Sequence, residues 1–227
     1  MTPIQALIVG KNPEPLIDFN QQGMLHRSIY NDFEMLVSAA KKDGIDLTIA
    51  SAYRNFDRQQ LIWNNKANGL RTIKDQENQV IDPSNYSDKQ LLNYILHWSA
   101  LPGASRHHWG TDIDVYDPSM LTDELQLEPW EYQTGGPMER LGMWLDENLS
   151  TYGFFRPYET YNNGVAAEPW HISHIEQSAV LFEQLNVELL KQVIIENDIG
   201  LKETVLANLD SIFNQYITNI VSYEGKT

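Results

Sequence analysis

The chain has 227 residues, of which 42% are apolar and six are Trp, so it can bury a core and is not disordered throughout. Its 16 Lys and Arg face 31 Asp and Glu; the formal charge of −15 argues against a nucleic-acid partner, since phosphates are repelled. No cysteine is present, which excludes disulfides and thiolate metal sites and leaves His and carboxylate to hold any metal.

The apolar run Ile4 to Val9 has no basic region before it and is ended by Lys11 and Pro13, too soon for a secretory leader. No stretch approaches the ~20 apolar residues of a membrane span. The expectation is a cytoplasmic chain as the sequence stands, or a periplasmic or envelope protein if a leader has been removed. His26 to Lys42 reads as a helix, with Ile29, Phe33, Leu36, Val37 and Ala40 at helical spacing and Asp43-Gly44 as its stop. Asp46 to Tyr53 reads as a strand and Asp57 to Lys66 as a helix. The polar stretch Ala67 to Ser87 is expected as a surface excursion, a lid or a groove wall. Lys89 to His97 is a helix, Pro102-Gly103 a turn, and Thr111 to Tyr116 a strand after a bend at Gly110. Pro118 to Gly136 is loop, Pro137 to Leu149 helix, and Gly153 to Tyr158 and Trp170 to Ile175 are strands. Two amphipathic helices, Glu176 to Glu196 and Leu201 to Val221, complete the chain. Strands interspersed with helices, then a helical tail, indicate α+β and not a repeating βαβ pattern.

Two segments carry the chemistry: Ser105-Arg106-His107-His108-Trp109-Gly110-Thr111-Asp112-Ile113-Asp114 and Glu168-Pro169-Trp170-His171. A catalytic zinc takes three protein ligands and keeps one position open for water, and a spare carboxylate beside that water is what hydrolysis requires. A sharp bend at Gly110 would fold His107 back against the strand that carries Asp114. Along that strand Asp112 and Asp114 share one face while Ile113 and Val115 take the other. Pro169 biases Glu168 toward an extended conformation, so its carboxylate can project beside His171. Taken singly these residues have ordinary roles. His171 could be a hydrogen-bonded core histidine, Asp114 a strand-end cap and Arg54 a surface charge. His108 and His174 could be supporting donors, substrate contacts or surface residues.

The joint pattern is more specific. Ser105-x-His107-x-x-Gly110-x-x-x-Asp114 followed by Glu168-Pro-Trp-His171 resembles the signature of the VanY-type D-alanyl-D-alanine carboxypeptidases. These belong to the zinc peptidases that include the lysostaphin-type enzymes and the hedgehog fold. A third block, Ser51-Ala52-Tyr53-Arg54-Asn55-Phe56-Asp57-Arg58-Gln59, is similar to that family's Ser-x-Tyr-Arg-Ser-x-x-x-Gln block. All three stand in the family's order between Asp46 and His174.

The resemblance implies a small antiparallel sheet carrying the zinc site, flanked by helices. It places the peptidase-like domain, with its N-terminal helices, in residues 1–176, and a C-terminal helical extension in residues 177–227, packed on the same domain. One Zn²⁺ per chain would be held by His107, Asp114 and His171. Glu168 would activate the zinc-bound water, and Arg54 would face the scissile carbonyl or a substrate carboxylate. Ser105, Gln59 and Tyr53 would shape or support the substrate pocket. Trp170 would wall it, although Trp109 and Trp170 could equally serve in packing. The implied reaction removes a terminal D-Ala from peptidoglycan stem peptides or other D-Ala-terminated peptides. The alternatives are an endopeptidase or D,D-dipeptidase of the same fold, or a non-catalytic zinc module that binds wall peptides; Glu168 weighs against the last. The chain departs from the family at Asp112, where Ala is frequent, and at Asn55, where Ser is. Asp112 would then alter the charge of the site or hold a supporting partner.

Overall fold

The computed structural model describes the chain except for residues 122, 222 and 224–227, which fall in the predicted 118–136 loop and at the end of the predicted tail. A short helix, α1 (Pro3–Ile8), opens the fold, capped by reciprocal hydrogen bonds between Thr2 and Gln5. Strands β1 (Leu16–Asp18) and β2 (Met24–His26) pair as a hairpin. Helix α2 (Tyr30–Lys42) starts later than its periodicity suggests, because His26 ends a strand and Arg27–Ile29 form a 3-10 turn. Strand β3 (Thr48–Ser51) leads into helix α3 (Phe56–Ala67), whose first turn is capped by the Asn55 side chain accepting from the Arg58 amide. The polar excursion is not structureless: β4 (Ile73–Lys74) and β5 (Val80–Ile81) form a small hairpin within it. Helix α4 (Asp88–Trp98) follows, then β6 (Asp112–Tyr116), α5 (Glu139–Asn148), β7 (Phe154–Phe155) and β8 (His171–His174).

Strands β3, β6, β8 and β7 make one antiparallel sheet in that order. Its two faces differ in chemistry. Ile113 and Val115 of β6 and Ile172 of β8 are fully buried in one apolar cluster with Phe33, Leu36, Leu141 and Leu145 from α2 and α5. The alternate residues, Asp112, Asp114, His171 and Ser173, point the other way. The register sets Asp114 opposite His171 and Asp112 opposite Ser173. Slipping β6 by one residue would exchange its two faces and put two aliphatic side chains, Ile113 and Val115, into a polar cleft, at ~1.5–3 kcal/mol each.

The tail folds into more pieces than predicted. In place of two long helices there are α6 (Ile175–Phe182), α7 (Val187–Glu196), α8 (Lys202–Ala207), α9 (Leu209–Ile212) and a π-turn over Phe213–Ile217. Asn186 makes the first break by capping the Leu189 amide at 2.9 Å, and Asn208 ends α8. The apolar spacing runs on through both breaks, so periodicity alone does not reveal them. Leu189, Leu190, Val193, Ile194 and Val205 pack into a second apolar cluster together with Leu7, Ile8, Trp63 and Trp109. Trp109 is fully buried and donates to the Ile8 carbonyl at 3.1 Å, so its role is packing. Among the described residues no helix is long and apolar enough to cross a membrane.

Between the clusters the chain turns at Gly110, whose φ of +69° lies in the left-handed region. A Cβ there would sit 2.6 Å from Leu16 Cδ2 and 2.9 Å from the His26 amide nitrogen. We therefore expect Gly110→Ala to destabilise the fold by about 1–3 kcal/mol from backbone strain, with the steric clash in addition. Chemical denaturation measures this, and an unchanged midpoint would show that the turn does not need glycine.

Candidate active site

A 3-10 turn over Arg106–Trp109, closed by Gly110, carries His107 back over the sheet toward β6. His107 Nδ1 lies 2.9 Å from the Ala52 carbonyl, so that nitrogen donates its proton to the backbone. Nε2 is then left bare and faces Asp114 Oδ2 at 3.3 Å. His171 is oriented the opposite way round. Its Nε2 lies 3.0 Å from Asp112 Oδ1, which leaves Nδ1 facing Asp114 Oδ1 at 3.1 Å and Glu168 Oε2 at 3.4 Å. Ligand atoms of His107, Asp114 and His171 all lie within 4.8 Å of one another, and all three residues are buried.

Two donor atoms in this cluster, Asp114 Oδ1 and His171 Nδ1, are buried without a hydrogen-bond partner among the described residues. Buried polar atoms are normally satisfied, and orphaned lone pairs converging on one point are what a divalent cation needs. Each imidazole has its remote nitrogen tied to an oxygen, the arrangement that fixes the tautomer of a metal-ligating histidine. The residues present therefore fit a metal ion.

The electrostatics agree. Burial pushes the Asp114 carboxyl up, but His107 and His171 outweigh it and hold the group well below the usual carboxylate range. Burial disfavours a proton on His171, yet Asp112 and Asp114 over-compensate and raise its pKa to about 10. Without an ion a proton sits where the ion would bind. His107 is lowered by burial and stays neutral, ready to act as a ligand.

Asp112 owes its ionised state first to Arg106, against the opposing effect of burial. Arg106 Nε donates to Asp112 Oδ1 at 2.7 Å, and Nη2 donates to Ser173 Oγ at 2.6 Å. The guanidinium also lies over the Trp109 ring, 4.8 Å from its centroid. The extra acid at this position thus brings its own counter-cation and serves His171. Arg106 escaped the sequence reading because it occupies a variable slot in the motif. An arginine six residues before the first of two alternating strand acids was the available signal.

Glu168, just before Pro169, brings its carboxylate beside His171. Its amide donates to the Tyr158 carbonyl at 2.8 Å, and its own carbonyl accepts from the His171 amide at 3.0 Å. Burial raises its pKa to about 7, with His171, Arg54 and Lys66 opposing the shift and Asp114 reinforcing it. Tyr158, another residue the sequence did not single out, sets its ring edge against His171 at 5.1 Å between centroids.

A cavity of about 840 Å³ opens over these groups. Arg54, Ser105, Tyr53 and Trp170 line it; Gln59 does not. Gln59 is fully buried and instead accepts from Arg54 Nη1 at 2.8 Å while donating to the Ala100 carbonyl at 2.7 Å. It reaches the site only through Arg54, which it aims together with Ser51 Oγ at 3.2 Å. The Tyr53 hydroxyl donates to the Gly10 carbonyl at 3.3 Å. His108 is no candidate ligand: Nδ1 donates to the Arg54 carbonyl at 2.6 Å, Nε2 accepts from the Gly103 amide at 3.1 Å, and burial lowers its pKa to about 3. His174 caps α6 through the Gln177 amide and contacts Asp32, away from the cluster.

Comparison with known proteins gives a match over residues 22–177 to the VanY family, described as D-alanyl-D-alanine carboxypeptidase. A protein of Haemophilus influenzae without an assigned function is 39% identical over 121 residues, 52% of this chain and 92% of that one. A D-alanyl-D-alanine carboxypeptidase of Enterococcus faecalis is 29% identical over 165 residues, 67% of this chain and 52% of that protein; the chain thus spans about half of that enzyme. Among solved structures, VanYB in complex with D-alanine-D-alanine aligns with a TM-score of 0.53 and 24% identity, covering 80% of this chain and 89% of that one. A mutant of the vancomycin-resistance D,D-pentapeptidase VanY in complex with Zn(II) aligns at 0.52 and 23%, covering 84% and 88%. At these identities the two structures establish likeness of fold.

The raised His171 pKa has a measurable consequence. An ion must displace the proton, so the apparent Zn²⁺ affinity of the metal-free protein should fall about tenfold per unit as pH drops from 8 to 6. Titration with a competing chelator reads this, and an affinity flat across that range would contradict the shared proton.

Proposed function

We propose that this chain, which belongs to the VanY family of D-alanyl-D-alanine carboxypeptidases, is a zinc D,D-carboxypeptidase that removes the terminal D-Ala from peptidoglycan stem peptides. His107, Asp114 and His171 would hold the zinc, Glu168 would be the general base, and Arg54 would meet the charge on the substrate. One observation carries the reading: two orphaned donor atoms and His107 Nε2 converge on a single point, with the Glu168 carboxylate 3.4 Å from one of them. The Zn(II) and D-alanine-D-alanine complexes of the two structural neighbours support the choice of metal and of substrate class.

Bound in this cluster, zinc supplies Lewis-acid polarisation of a carbonyl oxygen and draws the pKa of water from ~15.7 toward ~7. The protein supplies the rest. His107 and His171 present their bare nitrogens because Ala52 and Asp112 occupy the others. Glu168 accepts a proton from the attacking water and returns it to the leaving amine, a task that suits a carboxylate raised toward neutrality. Arg54 is half-buried in the cavity wall, with Asp114 and Glu168 sustaining its charge against desolvation. Held by Gln59 and Ser51, its fork can meet a carboxylate or an oxyanion without rearranging. Loss of one such donor typically costs about 10²–10³ in turnover.

A carboxypeptidase, an endopeptidase and a dipeptidase differ here only in what the cavity demands on either side of the scissile bond. Incubation of the zinc-loaded protein with defined muropeptides, read by mass spectrometry, distinguishes them. Release of free D-Ala from a pentapeptide stem is the expected result, and cleavage only within cross-links or only of the free dipeptide would replace it. Glu168→Gln should retain stoichiometric zinc and lose about 10²–10⁴ in kcat. The base works as the carboxylate, so wild-type kcat/KM should fall with decreasing pH on a limb at or below pH 7, since a nearby cation lowers the group further. That limb should be absent from the residual activity of the variant. Near wild-type turnover in Glu168→Gln would remove Glu168 from the mechanism.

A further inference from the structure

The cavity reverses the charge of the molecule around it. Six of the 16 Lys and Arg in this acidic chain line it, against three of the 31 Asp and Glu. Three of the six are accounted for. Arg106 is paired with Asp112, Lys74 with Glu128, and Arg54 lies under the influence of Asp114 and Glu168. The remaining three, Arg58, Lys66 and Arg71, have no carboxylate within salt-bridge distance among the described residues. Lys66 Nζ donates to the Ser99 hydroxyl at 2.6 Å and to no anion. Burial disfavours its charge most, Arg71 and Lys74 add to that, and Glu168 opposes them without pairing with it.

Their placement is ordered. Arg54 stands just ahead of α3, and Arg58, Ile62 and Lys66 follow at four-residue intervals, so one side of the helix presents cations to the cavity. Arg71 enters from the strap that leads into the β4–β5 hairpin. From Arg58 to Lys66 the helix rises ~12 Å, at ~1.5 Å per residue. That is the length of ~3–4 extended peptide residues at ~3.3 Å each. Neighbouring like charges in a partly enclosed space repel one another, and an anion lying among them relieves that repulsion.

We propose that the Arg58–Lys66–Arg71 wall binds carboxylate side chains of the peptide upstream of its scissile bond, so that the preferred substrate is a polyanionic peptide and not merely one with a free C-terminus. This rests on the carboxypeptidase reading and refines its substrate class. One cation, Arg54, suffices for a terminal carboxylate; the wall adds sites for at least one more. Arg58 and Arg71 are exposed and their side chains make no hydrogen bond among the described residues, so their replacement is expected to spare the fold.

The test compares acetyl-Glu-Glu-D-Ala-D-Ala with the nearly isosteric acetyl-Gln-Gln-D-Ala-D-Ala on the zinc-loaded full chain. At low salt, kcat/KM for the Glu peptide should exceed that for the Gln peptide by at least about tenfold, and the ratio should shrink in 0.5 M NaCl as screening sets in. In Arg58→Gln/Arg71→Gln the ratio should collapse toward one, and in Arg58→Lys/Arg71→Lys most of it should return. Equal rates for both peptides in the wild type, or a ratio that survives in the Gln variant, would overturn the proposal. If neither peptide is cleaved, the carboxypeptidase reading fails and binding of fluorescently labelled versions still decides the wall. Tighter binding of the Glu peptide, lost in the Gln variant, supports it; equal binding overturns it.

Discussion

The chemistry of this protein depends on the register between β6 and β8. Pairing Asp114 with His171 sets a carboxylate and an imidazole side by side on one face of the sheet. Pairing Ile113 with Ile172 packs the opposite face against α2 and α5. These are one constraint seen from two sides, because strand side chains alternate and the apolar face cannot slip without exchanging the polar one. The apolar core therefore fixes the position of the candidate ligands as firmly as it fixes itself. His107 joins them from outside the sheet, carried by the turn that Gly110 permits.

The polar side of the sheet concentrates buried charge. Asp112 has Arg106, whose guanidinium is held in turn by Ser173 and Trp109. Breaking such a buried pair from one side is costly, so Arg106, Asp112 and His171 act as a unit. Asp114 and His171 instead retain orphaned atoms directed at one point, which protein groups do not satisfy. A paired support beneath and unsatisfied ligand atoms above is how a rigid ligand set is held ready for an ion. Glu168 stands at the edge of this set, raised toward neutrality by the same burial.

A second contrast runs across the cavity. The surface at large is acidic, which keeps an anionic peptide away from most of the molecule. The cavity wall built by α3 and the segment before β4 carries cations without carboxylate partners. Together these would guide an acidic peptide toward a cavity lined with the opposite sign.

Much of this was legible in the chain itself. The α+β class followed from strands interspersed with helices, and α2, α3, α4 and α5 fell close to their expected spans because each has a strong 3.6-residue pattern or a cap. The bend at Gly110 and the proline at 169 limit where the side chains of Ser105–Asp114 and Glu168–His171 can go, and the resemblance to the VanY family added Ser51–Gln59 and joined the three blocks into one site. For Gln59 the motif left open whether it shapes or supports the pocket, because it records which residue recurs and not which way it faces; the structure turns it inward to hold Arg54. Arg106, Tyr158 and the Arg58–Lys66–Arg71 wall were not legible, because sequence spacing does not record that Arg106 turns onto Asp112 and Ser173, that Tyr158 packs on His171, or which cations line the cavity. The breaks at Asn186 and Asn208 escaped as well, since apolar periodicity continues through a cap. Sequence by itself determined which side chains have the chemistry to bind a metal and move a proton. Only the tertiary structure decided which nitrogen of each histidine is bare, which acid has a counter-cation and which cations face the cavity, because burial and hydrogen-bond direction come from packing between segments distant in the chain.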